Sequence, residues 1–125
     1  MRICLDLDGV VCELKQEGQT YADVAPLPGA IAKIRQLKAA GHTVILHTAR
    51  HMKTCQGNPG MVIARVGQIT LDWLARHEIP YEEIHFGKPW AHVYIDDNAL
   101  RFSSWDEILG DGSNLPRNHE ESVRP

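Results

Sequence analysis

Met1-Arg-Ile-Cys-Leu-Asp-Leu-Asp-Gly-Val10 is the stretch whose reading decides the fold. Arg2 to Leu7 has the make-up of a short buried strand, interrupted only by acids near its end. On a strand, Asp6 and Asp8 point to one face, about 6–7 Å apart, and Leu5 and Leu7 point to the other. Gly9 lets the backbone turn sharply where the strand stops. Two carboxylates at the end of a buried strand are costly unless something compensates them. A hard divalent cation such as Mg2+ does so, because it takes carboxylate and phosphate oxygens. For an isolated Asp-x-Asp, a pair of solvated turn carboxylates is an equal alternative, and the rest of the chain has to weigh between them.

Outward from this strand, Val10 to Val24 alternates weakly and carries a turn signal at Glu17-Gly18, so a small hairpin or flap is expected. Pro28 suits the start of a helix, Ile31, Ile34 and Leu37 fall at helical spacing, and Gly41 stops it. Thr43 to Thr48 is the second strand. A loop from Ala49 to Gly57 follows, then Asn58 as N-cap and Pro59 as first helical residue. Val62, Val66, Ile69 and Trp73 form the stripe of that helix, with Ile63, Thr70 and Leu74 alongside. Gly67 within it costs about 1 kcal/mol relative to Ala, so close packing is its expected reason. Glu83 to Phe86 is a third strand, and Gly87-Lys88-Pro89-Trp90 is a turn. Ala91 to Ile95 is read as a fourth strand ending in Asp96-Asp97. Ser104-Trp105-Asp106-Glu107 has the pattern of a capping box for a last short helix. Residues 1–109 form one core with the flap at 10–24, and 110–125 is expected to be a mobile or loosely docked tail.

Composition sets outer bounds. The 125 residues suffice for one domain with a single core. A hydrophobic fraction of 43% with 23% charged residues is ordinary for a soluble globular protein. The net charge of −3 argues against a general nucleic-acid binder, whose footprint is basic. No apolar run spans a bilayer, and Asp6 and Asp8 break the stretch that a signal peptide would need. Cys4, Cys12 and Cys55 are an odd number without metal-site spacing, which fits free thiols in a reducing cytoplasm. Cys4 reads as a small core residue and Cys55 as a loop residue.

Strand, helix, strand, helix, strand, strand implies an α/β fold, an open parallel sheet with helices on both faces. Ligands of such sheets sit beyond the carboxyl ends of the strands. Asp6, Asp8, Thr48, Lys88, Asp96 and Asp97 all lie at those ends or just after them. Two acid pairs could hold one Mg2+, a lysine could neutralise both nucleophile and incoming phosphate, and a threonine could bind phosphoryl oxygens. Positioning and charge neutralisation are what phosphoryl transfer requires. A carboxylate can serve as covalent nucleophile, and a second one can protonate the leaving group and then deprotonate water.

With those residues in that order, Asp6-Leu7-Asp8-Gly9-Val10, Thr48, Lys88 and Asp96-Asp97, the chain resembles the haloacid dehalogenase superfamily of phosphatases. The resemblance covers all four signature motifs and nearly the whole chain. It implies a three-layer, Rossmann-like α/β/α core and a phosphomonoester hydrolase working through an aspartyl phosphate. It further implies Asp6 as nucleophile, Asp8 as general acid and base, Thr48 as phosphate ligand and Lys88 as charge anchor. Mg2+ would be held by Asp6, the Asp8 main-chain carbonyl and an acid of the Asp96-Asp97 pair, with Asp97 favoured as the inner-sphere ligand. The gaps between motifs hold too little chain for a cap domain, so the chain looks like a capless member. His47-Thr48-Ala49-Arg50 and the loop from Lys53 to Gly60 are similar to small capsule-polysaccharide-biosynthesis proteins of that superfamily, which suggests a sugar or polyol phosphate as substrate.

Other readings compete. Thr48, Ala49, Arg50 and Lys88 are candidate substrate contacts, and Arg50 could equally form a structural ion pair. His51 and Lys53 are solvated loop residues or substrate contacts. His47 and His51 are four apart, but His47 lies in a strand, which disfavours a zinc site. Trp90 either borders the site or packs in the core. A phospho-accepting receiver uses similar residues, but its acid pair follows the first strand and its acceptor comes later, which is not the order here. A non-catalytic scaffold would not need every motif position filled. A nucleotide or nucleic-acid end phosphatase fits an open site but gains little attraction from an acidic chain. An open site also suggests a homo-oligomer in which a neighbour narrows the mouth through the flap and the 53–60 loop.

Overall fold

Three strands, β1 (Arg2–Asp6), β2 (Thr43–Thr48) and β3 (Glu83–Phe86), pair in parallel in the order β1-β2-β3. The computed structural model describes residues 1–117. Parallel neighbours need long crossovers, and the chain supplies helices for them. The first is α1 (Ala30–Ala39). The second is a broken helix made of α2 (Pro59–Val62), a π-helical turn (Ile63–Gly67) and α3 (Gln68–Arg76). The register pairs Leu5 with Leu46 and Asp6 with His47, and Thr48 with Phe86. The strands therefore finish almost level, and 7–8, 49–50 and 87–88 leave the sheet along one edge.

The core takes one alternation of the strands. Leu5, Leu7, Val44 and Leu46 are buried in a single cluster with Ile34 and Leu37 of α1 and Trp73 and Leu74 of α3, and Ile3 and Ile84 pack against it. The opposite alternation is covered far less among the described residues: Arg2, Cys4 and His85 are exposed, although Ile45 is buried. Cys4 thus lies outside the core, because it points to that second face, and Cys12 is the buried thiol. On the broken helix the buried positions are Val62, Val66, Gly67, Thr70, Trp73 and Leu74, whereas Ile63 is exposed and Ile69 only half-buried. The π turn shifts the stripe. Gly67 has its expected reason there, since a Cβ would lie 3.1 Å from Ile63 Cγ2.

Two tryptophans tie the flap to this core. Trp73 Nε1 donates to Val24 O at 2.8 Å, and Trp105 Nε1 donates to Val10 O at 2.7 Å. The flap itself is a series of turns rather than the expected hairpin. Leu7 O accepts from the amides of Val10, Val11 and Cys12, and the ends meet where Glu13 N donates to Ala25 O and Leu27 N to Val11 O. Its alternation buries too little apolar surface to sustain paired strands. Asn58 caps α2 as expected, its side chain accepting from Met61 N at 3.2 Å with Pro59 following.

The fourth strand is not formed. Residues 91–95 lie outside the sheet, with Val93 68% and Ile95 96% exposed, so β1 pairs with β2 alone among the described residues. Strand propensity acts only where a neighbouring surface receives it, and here local contacts hold the segment instead. The Trp90 and His92 rings meet at 4.7 Å, and the Tyr94 hydroxyl donates to Pro89 O. The capping box likewise gives only a 3-10 turn (Trp105–Glu107): Ser104 makes no side-chain cap, and the Ser103 hydroxyl bonds to Glu107. The tail docks more closely than expected as far as Leu115. A His42 ring nitrogen bonds to Asp111 O at 2.8 Å, and Leu115 packs against the core. The rest of the tail, 118–125, lies outside the described residues. Among the described residues no helix is long and apolar enough to cross a membrane.

Candidate active site

Asp6 closes β1, and the ladder runs one residue further because Leu7 N donates to His47 O at 3.0 Å. Lys88 arrives from the end of β3. Its amide and that of Gly87 donate to Thr48 O at 3.1 and 3.2 Å, which fastens the turn after β3 to the end of β2. Gly87 has φ 105, a backbone shape that glycine alone adopts freely. From this turn the Lys88 ammonium reaches 3.5 Å from Asp6 Oδ1. Burial pushes the Asp6 carboxyl above the usual aspartate value, Lys88 opposes that shift, and the charge of Asp8 adds to it. Asp6, Asp8 and Lys88 therefore share one electrostatic neighbourhood.

Asp8 is held by Arg50. Arg50 Nε lies 2.9 Å from Asp8 Oδ2 and 3.2 Å from Oδ1, and Nη2 lies 2.9 Å from Oδ1. The Arg50 side chain has no exposed surface, so of its two readings the geometry takes the ion pair and not the substrate contact. Its Nη1 donates to Thr70 Oγ1 at 3.0 Å, and the guanidinium lies 4.0 Å from the Tyr21 ring centroid. Thr48 is buried, and its hydroxyl accepts from Arg50 N at 3.1 Å. That hydroxyl still has a proton to donate, but Thr48 is only 1% exposed. Ala49 serves the turn, with its carbonyl accepting from Met52 N at 3.0 Å.

Three neighbours of the acids were not singled out by sequence reasoning. Cys12 Sγ lies 3.4 Å from Asp8 Oδ1, and burial pushes its thiol up to about 12, so it stays protonated and donates. Tyr21 roofs Arg50 from the flap, and its ring approaches that of His51 at 5.9 Å. Thr70 looked like a stripe residue. Only a question about what a hydroxyl in an apolar stripe must bond would have marked it. His51 has φ 58 and a buried Nδ1 without a protein partner. Lys53 lies over the Trp90 ring at 4.6 Å, whereas Asp6 and Asp8 pair with Lys88 and Arg50.

The second acid pair does not join this group. Asp96 and Asp97 are exposed in the segment that fails to pair with β1, and Asp96 accepts from Asn98 N at 3.0 Å. Among the described residues no three of His, Cys, Asp and Glu come together where they could hold a metal. Among the described residues, Asp6 and Asp8 are the acids of this set that lie at the edge, and Arg50 donates to both oxygens of Asp8. The four acids expected around Mg2+ are therefore not gathered at one point among the described residues.

No family model and no curated protein matches the chain. Among solved structures it is similar to the crystal structure of an MCSG target from Vibrio cholerae. The two are 32% identical, the match covers 96% of this chain and 91% of that one, and the TM-score is 0.74.

Proposed function

The chain belongs to one family with that Vibrio cholerae protein, and on the strength of its sheet edge we propose that it is a phosphomonoester hydrolase of the haloacid dehalogenase type. One observation carries the reading: Lys88, from the end of β3, meets Asp6 at the end of β1, with Asp8 two residues on. The three-layer, Rossmann-like core of that superfamily and a sugar or polyol phosphate as substrate belong to the same proposal.

In this reading Asp6 attacks phosphorus, the bond from phosphorus to the leaving oxygen breaks, and an aspartyl phosphate forms. Asp6 Oδ1 faces Lys88, which leaves Oδ2 as the attacking oxygen. Asp8, carrying a proton in the substrate-bound form, gives it to the leaving oxygen, then takes one from water as that water attacks phosphorus. The Asp6–phosphorus bond breaks, and inorganic phosphate and Asp6 are released. Lys88 offsets the negative charge on Asp6 and on the transferring group. Mg2+, implied by the resemblance, would add charge neutralisation at the phosphate, and no step above depends on it.

The test is hydrolysis of an aryl phosphate by the wild type, with Mg2+ and with excess chelator. Release of phosphate that Asp6→Asn lacks is expected, and none from the wild type under either condition would overturn the reading. Undiminished rates in chelator would remove Mg2+ from it. Lys88→Ala is expected to lower kcat/KM by about 10²–10³-fold, the usual range for deleting a preorganised electrostatic donor. Lys88→Arg should rescue only part of this, because the planar guanidinium is wider than a compact ammonium. Near wild-type kcat/KM in Lys88→Ala would mean that the lysine is a mere turn residue before Pro89.

A further inference from the structure

Asp8 is approached unevenly. Its Oδ1 receives Arg50 Nη2 at 2.9 Å, Arg50 Nε at 3.2 Å and the Cys12 thiol at 3.4 Å. Its Oδ2 receives only Arg50 Nε, at 2.9 Å. Nε has one proton, shared between the two oxygens and closer to Oδ2, so Nη2 and the thiol fill Oδ1, at about two lone-pair sites per carboxylate oxygen, and Oδ2 keeps room for one more partner. The group that creates this asymmetry is itself fixed. Arg50 Nη1 donates to Thr70 Oγ1 at 3.0 Å. The Thr70 hydroxyl spends its own proton on Val66 O at 2.6 Å, so toward Arg50 it is an acceptor only. Val66 lies in the π-helical turn, and the Tyr21 ring closes the guanidinium from the flap side. With no exposed surface, Arg50 has no path to substrate.

We propose that Arg50 and Thr70 are positioning residues that fix the Asp8 carboxylate so that Oδ2 is the oxygen that exchanges a proton with leaving group and water. This rests on the phosphatase reading above. It makes a hydroxyl on the second crossover helix part of the catalytic geometry without any contact to substrate. A fork with two fixed arms holds a carboxylate plane better than a single ammonium, so charge alone is not sufficient.

The experiment compares wild type, Thr70→Val and Arg50→Lys on an alkyl phosphate and an aryl phosphate, with crystal structures of all three. An alkoxide needs the proton from Asp8 far more than a phenolate does. Arg50→Lys is expected to lower kcat on the alkyl ester on the order of 10²-fold, the cost of a displaced catalytic group, with KM little changed and the aryl ester much less affected. Thr70→Val, which keeps the buried charge pair and so secures a folded variant, should move the alkyl-to-aryl ratio in the same direction by a smaller factor. The structures should show the Asp8 carboxylate rotated. A residue that only supports the fold would lower stability and leave the ratio of the two substrates unchanged. An unchanged ratio in both variants overturns the assignment. If the wild type hydrolyses neither ester, the phosphatase reading falls, and the structures decide the positioning by themselves: an unmoved Asp8 in both variants overturns it.

Discussion

Asp6→Asn is expected to abolish turnover, with a loss of at least about 10³-fold, and to leave the protein as stable as before or more so. Removal of a covalent nucleophile leaves only binding and electrostatic assistance, which explains the size of the loss. The stability half follows from linkage. Burial first, and then the charge of Asp8, hold the folded-state Asp6 pKa above its ordinary value of 3.8, against the pull of Lys88. A raised folded pKa means that folding favours the protonated form. The contribution of Asp6 to stability is then complete below the ordinary value and is lost as pH rises through the folded one. At neutral pH the ionised side chain is a liability that asparagine does not carry. Thermal unfolding at pH 7 should show Asp6→Asn at or above wild type, with the gap closing below pH 3.8. A variant that unfolds several degrees earlier at pH 7, or one with near wild-type rates, would contradict this placement of Asp6.

Asp8→Ala has the opposite stability signature. Its partner Arg50 has no exposed surface, while Asp8 itself keeps about a quarter of its side chain accessible, at 23%. Removing the acid strands a buried guanidinium that, among the described residues, Thr70, Cys12 and the Tyr21 ring still face. Breaking a buried pair from one side costs about 3 kcal/mol or more. That is a large share of the 5–15 kcal/mol typical of a domain and lowers Tm on the order of 10 °C. Two acids, two positions apart, are thus distinguished by calorimetry alone. Equal Tm values for Asp8→Ala and wild type would show that Arg50 finds another partner or reaches water.

Much of this was legible because it is local. Asn58-Pro59 carries its own capping instruction. Ile34 and Leu37 fall at the spacing that buries one helix face. The acids at the end of β1 and the lysine after β3 were placed at one edge by strand direction alone, and Lys88 does reach Asp6. What escaped depends on partners distant in the chain. Arg50 had two readings until Asp8, Thr70 and Tyr21 surrounded it, and these lie on three different elements. Thr70 sat in an apolar stripe whose period says nothing about what its hydroxyl must bond. Ala91 to Ile95 has strand composition, but composition does not say whether the edge of β1 takes it up; Trp90, His92 and Tyr94 hold it elsewhere. Cys4 and Cys12 look alike in sequence and differ in burial because Cys4 points to the open face of β1, while Cys12 lies in the turns after it and packs in the core cluster.

The two indole hydrogen bonds at the ends of the flap equip the molecule with an optical gauge. Trp73 and Trp105 are buried and each donates to a flap carbonyl, Val24 O and Val10 O, while Trp90 is 47% exposed. Emission from the first two is that of indoles shielded from water, and the third supplies a constant, red-shifted background that Trp90→Phe deletes. Any lifting of the 10–24 segment has to break one of those bonds and wet an indole. The spectrum of Trp90→Phe therefore reads flap position directly, and a titration with a phosphate ester that changes its colour follows the segment in real time without an added label.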